Sequence, residues 1–169
     1  MVNQPTKETE VFLSLGSNID PEENLKYACR ELKKTFGNIQ ISSVYKNKPI
    51  GFEGNDFLNM VVKIKSTFNL NEMLDYLRCL EVATGRDIGT GAFDSRTLDI
   101  DMILYSDLVH PEKPFKIPRN DIELYSFVLC PLAEINPDGI HPVTGKAFKD
   151  LWENFDQEEH SLSKVSIDI

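Results

Sequence analysis

Apolar and polar residues alternate along Glu10–Leu15, putting Val11, Leu13 and Leu15 on one face and predicting a β-strand. It runs into Gly16-Ser17-Asn18, a turn signal that suits a phosphate cradle or a plain tight turn. The period then lengthens: Leu25, Ala28, Leu32 and Phe36 mark a helical stripe that Gly37 stops. Asp20 as cap, Pro21 at the first position and Glu23 as capping-box partner predict how this helix starts. Residues 39–45 and 57–64 read as further strands, separated by a loop over 46–55 that contains Pro49, Gly51 and Gly54. Leu70, Met73, Leu74, Leu77 and Leu80 predict a second helix from about Leu70 to Thr84, ended by Gly85.

The polar, glycine-containing segment 86–95 leads into the most informative stretch, Arg96-Thr97-Leu98-Asp99-Ile100-Asp101-Met102-Ile103-Leu104-Tyr105, which reads as a strand. Beyond it come a short helix over 120–125, an apolar run over 127–132 suited to the core, and a short helix over 148–154 carrying Leu151 and Trp152. The order β-α-β-β-α-β predicts an α+β, ferredoxin-like sandwich with C-terminal additions. Residues 1–9 are expected to be a flexible terminus and 10–155 a single domain. The polar tail over 156–169 is a candidate edge strand from Lys164 onward.

Within the strand over 96–105, Asp99 and Asp101 are two residues apart and so project from one face, with Leu98, Ile100 and Met102 on the other. Adjacent carboxylates repel, and a cation between them would relieve the repulsion. Hard oxygen ligands suit Mg²⁺, which takes one or two carboxylates together with waters and substrate phosphates. The spacing alone fits a solvated strand face equally well. Glu81 falls on or beside the buried stripe of the second helix, either reaching for its edge or aimed at something. Helix end, loop and strand would bring Glu81, Arg86, Arg96, Asp99 and Asp101 together, three acids for metal and two arginines for phosphate.

The 169 residues carry 41% hydrophobic and 27% charged side chains, ordinary values for a globular chain able to form a core. A net charge of −9 argues against broad nucleic-acid binding and requires a polyphosphate ligand to find local cations. There is no apolar run of membrane-spanning length and no secretory h-region. Cys29, Cys79 and Cys130 are scattered and lack metal-ligand spacing, as expected of reduced thiols in a cytoplasmic protein. No seam for obligate assembly is visible, so a monomer is expected.

Several collinear pieces between residues 10 and 152 together resemble the 6-hydroxymethyl-7,8-dihydropterin pyrophosphokinase family. They are Phe12-Leu13-Ser14-Leu15-Gly16-Ser17-Asn18, Ser43-Val44-Tyr45 with Pro49-Ile50-Gly51, Phe57-Leu58-Asn59, and Glu81 with Gly85-Arg86. Arg96-Thr97-Leu98-Asp99-Ile100-Asp101 and Phe127-Val128-Leu129 with Pro131-Leu132 complete the series. The arginine-led D-x-D element is the most specific.

The resemblance implies transfer of the terminal pyrophosphoryl group of ATP to the pterin hydroxymethyl oxygen, with AMP released, in folate biosynthesis. It implies that Asp99 and Asp101 hold two Mg²⁺ ions with ATP, that Asp101 is catalytic, and that Arg86 and Arg96 clamp the transferring group. By motif position, Phe57 and Phe127 would face the pterin ring, Asn59 would supply an amide, and Asn47 and Ile50 would complete the edge contacts. Ordinary core packing is the competing account of both phenylalanines. Phe93 would cover the closed site. Glu81, Lys116, Arg119 and Tyr125 join the two arginines on the ATP side.

Two departures stand out: Pro118-Arg119 replaces the family's Pro-His, and Tyr125 replaces an arginine. Arg119, with Lys116, would restore the missing positive charge. Two other accounts compete: a non-catalytic pterin- or nucleotide-binding paralogue, and a Mg²⁺-dependent phosphohydrolase, for which no water-activating base is evident. A second catalytic domain is not expected.

Overall fold

A computed structural model describes residues 7–85, 97–159 and 161–169. The elements are β1 (Thr9–Ser17), α1 (Pro21–Phe36), β2 (Gln40–Ile41), β3 (Val44–Asn47), β4 (Phe57–Ser66), α2 (Leu70–Ala83), β5 (Asp99–Tyr105), α3 (Asp121–Leu124), α4 (Ser126–Ile135), α5 (Phe148–Glu153) and β6 (Ser163–Val165). Their sheet has the order β5-β1-β4-β3-β6, with β2 also on β4, and every pairing is antiparallel. Apart from β6, this is the ferredoxin-like order expected from the alternation of elements.

The alternating side chains of the sheet feed two cores. Val11, Leu13, Leu15, Val62, Ile64, Ile100 and Met102 pack with Leu25, Ala28 and Leu32 of α1 and Met73, Leu77 and Leu80 of α2. On the opposite face, Phe12, Val61, Ile103 and Leu104 meet Ile122, Val128, Leu129, Leu132 and Phe148 of the C-terminal helices. The additions therefore turn a two-layer sandwich into one whose sheet is covered on both sides, with the apolar burial that drives such layering. A register shift at Phe12/Leu13 lets Ile103 and Leu104 both enter this second core.

Local chemistry modifies the sequence-based picture in three places. The strand expected over 39–45 is broken into β2 and β3. There the Ser42 hydroxyl accepts from Val61 N at 2.9 Å, while Ser42 N donates to Val61 O at 2.9 Å, so a side chain replaces a backbone acceptor in the ladder. The capping box expected at Asp20 is absent: Asp20 has φ 44 and ψ 49 and makes no side-chain cap bond. A capping residue needs extended backbone to aim its oxygen at the first-turn N–H groups. The capping box is found instead on α2, where Asn69 Oδ1 accepts from Glu72 N at 3.0 Å and Glu72 Oε2 accepts from Asn69 N at 2.8 Å. The N-terminal boundary also moves, since β1 takes in Thr9; the first six residues lie outside the described chain.

These observations predict that Asn69→Ala lowers unfolding free energy by about 1 kcal/mol. Asp20→Asn, which keeps a residue tolerant of left-handed backbone, should cost less than half as much in the same denaturant titration.

Candidate active site

The register of β1 decides which polar groups share the C-terminal-helix face of the sheet. Gly16 lies opposite Asp99 on β5 and opposite Asn59 on β4, and Asn59 lies opposite Tyr45 on β3. Directly opposed residues on antiparallel strands point to the same side, so Asp99, Asn59 and Tyr45 form one row. Asp101, opposite Ser14, begins the next row. With strands about 4.8 Å apart, the Asp99 and Asn59 backbones are about 10 Å apart. Gly16 leaves the space between them clear: a Cβ there would lie 2.7 Å from Asn59 Oδ1. Gly16→Ala is therefore expected to displace the Asn59 amide.

At the β5 end, Asp99 and Asp101 are both half-buried, while Leu98, Ile100 and Met102 are buried on the other face. Burial, and then the charge of Asp99, push the Asp101 carboxyl from its usual 3.8 up to about 7. Arg119 opposes this, its Nη1 lying 3.6 Å from Asp101 Oδ1 and its Nη2 3.3 Å from Asp121 Oδ2. Arg119 N donates to Ile103 O at 3.1 Å, fixing the 117–119 segment along the outer edge of β5. Its Nε is buried without a hydrogen-bond partner.

Glu81 has a defined place. Its Oε1 accepts from Ile100 N at 2.9 Å, so α2 supplies to the outer edge of β5 the acceptor that a further strand would have offered. Thr84 Oγ1 donates to Glu81 O at 2.8 Å and bonds Thr97 Oγ1 at 3.2 Å, and the Ser17 hydroxyl donates to Thr97 O. The sequence marks Ser17 only as part of a turn that suits a phosphate cradle or a plain tight turn, and does not single out the hydroxyls of Thr84 and Thr97, because isolated hydroxyls carry no periodic signal. Arg86, Arg96 and Phe93 lie outside the described residues.

At the β3 end, Asn47, Pro49, Ile50 and Phe127 line a cavity of about 460 Å³. The Asn59 amide donates to Asn47 Oδ1, and Asn47 Nδ2 donates to Lys48 O at 3.0 Å, so the two asparagines form one network behind this cavity. Phe127 stacks on Tyr125, with centroids 5.0 Å apart and planes at 14°. Tyr125, assigned by resemblance to the nucleotide side, thus props the ring assigned to the pterin. Phe57 meets Phe52 edge to face at 6.2 Å and is not among the residues that line the cavity. Lys116 is exposed. The cavity is also lined by Glu159, Ser161 and Ser163 of the tail, which no motif had singled out.

The domain is α+β, and one face of its sheet carries paired acids at one end and a cavity lined by an amide and an aromatic ring at the other. The family model for 7,8-dihydro-6-hydroxymethylpterin-pyrophosphokinase (HPPK) matches residues 12–137. The chain is 36% identical over 145 residues to the 2-amino-4-hydroxy-6-hydroxymethyldihydropteridine pyrophosphokinase of Aquifex aeolicus, covering 83% of this chain and 89% of that one. Its Haemophilus influenzae counterpart is 33% identical over 159 residues, covering 92% and 97%. The fold matches the crystal structure of wild-type Plasmodium falciparum HPPK-DHPS with a TM-score of 0.70 at 14% identity, covering 93% of this chain and 47% of that longer one. The chain belongs to the HPPK family.

Whether Asp101 takes a metal is testable without assaying catalysis. A raised carboxyl means that the native state holds this proton more tightly than the unfolded chain, so stability from this group is present near pH 4 and is lost as pH rises towards 7. In metal-free buffer at pH 8, Asp101→Asn should therefore be more stable than the parent by on the order of 1 kcal/mol, allowing for solvent screening. The difference should vanish near pH 4 and shrink on adding Mg²⁺ with a nucleotide, as read by thermal melts.

Proposed function

We propose that this chain transfers the pyrophosphoryl group of ATP to the hydroxymethyl oxygen of 6-hydroxymethyl-7,8-dihydropterin, releasing AMP, as a step of folate biosynthesis. Membership of the HPPK family supports the reaction. The single geometric observation that carries it is the row across β5, β1 and β4, which sets Asp99 and Asn59 on one face with only Gly16 between them. A triphosphate at the acid end would then meet a pterin at the amide end.

The donor set fits Mg²⁺: two hard carboxylates, one of them pushed to about 7 by burial and its like-charged neighbour. Asp99 and Asp101 would hold two such ions with ATP, which neutralise charge on the triphosphate oxygens. The remaining work falls to the chain itself. Glu81 fixes the backbone between the two acids through Ile100 N, so their spacing is set before substrate arrives. Arg86 and Arg96, by the family resemblance, would clamp the transferring group. Arg119 and Lys116 supply the positive charge that Tyr125 lacks, and the family resemblance implies that Phe93 would cover the closed site.

Asn47, Ile50, Phe57, Asn59 and Phe127 orient the ring so that its hydroxymethyl oxygen attacks the β-phosphorus. The bond from that phosphorus to the α–β bridging oxygen breaks, AMP leaves with the oxygen, and the hydroxyl proton passes to solvent. Positioning and electrostatics, rather than a dedicated base, lower the barrier.

Cys29, Cys79 and Cys130 are free thiols, in keeping with our placing the enzyme in the cytoplasm, where it would act as a monomer. Its partners are small molecules rather than nucleic acid or membrane. No described helix is long and apolar enough to cross a membrane.

The test is AMP formation from ATP and Mg²⁺ with and without the pterin. AMP should appear only with the pterin and fall roughly 10³-fold in Asp99→Ala; ADP, or AMP without pterin, would count against the reaction. Arg119→Ala should weaken ATP binding about tenfold, a change of about 1.4 kcal/mol. Unchanged ATP affinity would falsify its role as replacement cation.

A further inference from the structure

The tail beyond α5 returns to the site. β6 pairs with β3 through Val44↔Val165, Tyr45↔Lys164 and Lys46↔Ser163, and the next residue of β3 is Asn47. Glu159, Ser161 and Ser163 thereby line the same cavity as Asn47, Ile50 and Phe127. The pairing is reinforced by side chains. Lys164 Nζ lies 5.7 Å from the Tyr45 ring centroid, within cation–π range. The Tyr45 hydroxyl donates to Glu134 of α4, whose other carboxylate oxygen accepts from Ser43 N at 2.7 Å. Burial pushes the Glu134 carboxyl up, but Tyr45, Ser43 and the nearby Lys164 outweigh it and hold it below its ordinary range. Strand, helix and tail thus meet at one buried tyrosine, with Val165 and Ile167 packed against the first core.

We propose that the tail is a wall of the pterin site, with Ser161 facing the ring's edge and Lys164, which shares the Tyr45 face, as the latch that holds the tail against β3. This rests on the pterin reading of the cavity. A dihydropterin edge carries both donors and acceptors, and hydroxyls can serve either. Tyr45 and Asn59 face each other across β3 and β4, so a latch on Tyr45 also steadies the strand that presents Asn47. Lys164 is a positioning residue: it acts through Tyr45 and the strand pairing, and the acids and Arg119 at the far end of the sheet do not depend on it.

The experiment uses the full chain carrying Lys164→Glu, which sets a carboxylate beside Glu134, Lys164→Arg, which keeps the cation over the ring, and Ser161→Trp, which narrows the cavity directly. Pterin affinity is read from the ring's own fluorescence, and KM for each substrate and kcat from AMP release. Lys164→Glu and Ser161→Trp should each raise the pterin Kd and KM about tenfold. ATP KM and kcat should stay within about twofold, and Lys164→Arg should restore the parent values. Unchanged pterin affinity in both disruptive variants, or a parallel rise in ATP KM, would overturn the proposal. If the parent chain neither bound the pterin nor formed AMP, the enzymatic reading itself would fail and take this inference with it. That outcome is read on the parent alone and is distinct from a variant without effect.

Discussion

The register of β1 between β4 and β5 is the constraint on which the rest depends. A one-residue slip would exchange the two faces of the strand, sending Leu13 and Leu15 away from α1 and α2 and Gly16 away from the acids. The apolar half of β1 therefore enforces the placement of the polar half. Leu13 and Leu15 are wholly buried, and the cost of exposing two such side chains is a few kcal/mol. The site inherits its alignment from the core: Asp99 and Asn59 share a face because hydrophobic burial leaves β1 no other pairing.

Around this frame, the acidic end is held in an unfavourable state that a ligand would relieve. Asp99 and Asp101 sit side by side, and Arg119 divides its guanidinium between Asp101 and Asp121 at 3.3–3.6 Å. These are loose contacts, longer than a good charge-assisted hydrogen bond. Contacts this long leave the Asp101 carboxylate able to exchange partners. Glu81 is the contrasting case. It spends its oxygen on Ile100 N and gains rigidity for β5. Of the three acids gathered here by sequence, two face outward as candidate ligands and one has an assigned backbone partner.

Much of this was legible in the chain, and the failures have physical causes. Periodicity located the long strands and both major helices because their apolar stripes are long and regular. It misplaced the capping box because Asp20 and Asn69 look equally suitable in sequence, and only backbone dihedrals distinguish them. It fused β2 and β3 because a serine hydroxyl standing in for a carbonyl at Ser42 leaves no mark on the pattern. The D-x-D pair was legible as a shared face, and the family resemblance supplied what that face is for. The contacts tying Ser17, Thr84 and Thr97 together were not, since |i−j| of 80 and 13 lies beyond any local rule. Arg86 and Arg96 stand on their sequence placement and the resemblance, and Phe93 on the resemblance alone.

The stacking of Tyr125 on Phe127 bears on how the departures from the family pattern fit together. An arginine before the Phe-Val-Leu run would bring charge to that position; a tyrosine brings a flat face that lies 5.0 Å from the Phe127 ring two residues on. Aromatic pairs of this kind gain about 0.5–1.5 kcal/mol beyond burial, so the substitution exchanges a cation for a firmer wall. The cation is then needed elsewhere, and Arg119 stands beside Asp101 with its side chain 38% exposed. Seen this way, Arg119 and Tyr125 are two halves of one rearrangement. On the reading proposed above, positive charge moves towards the acidic end of the sheet and aromatic surface towards the cavity end, which the C-terminal tail also lines.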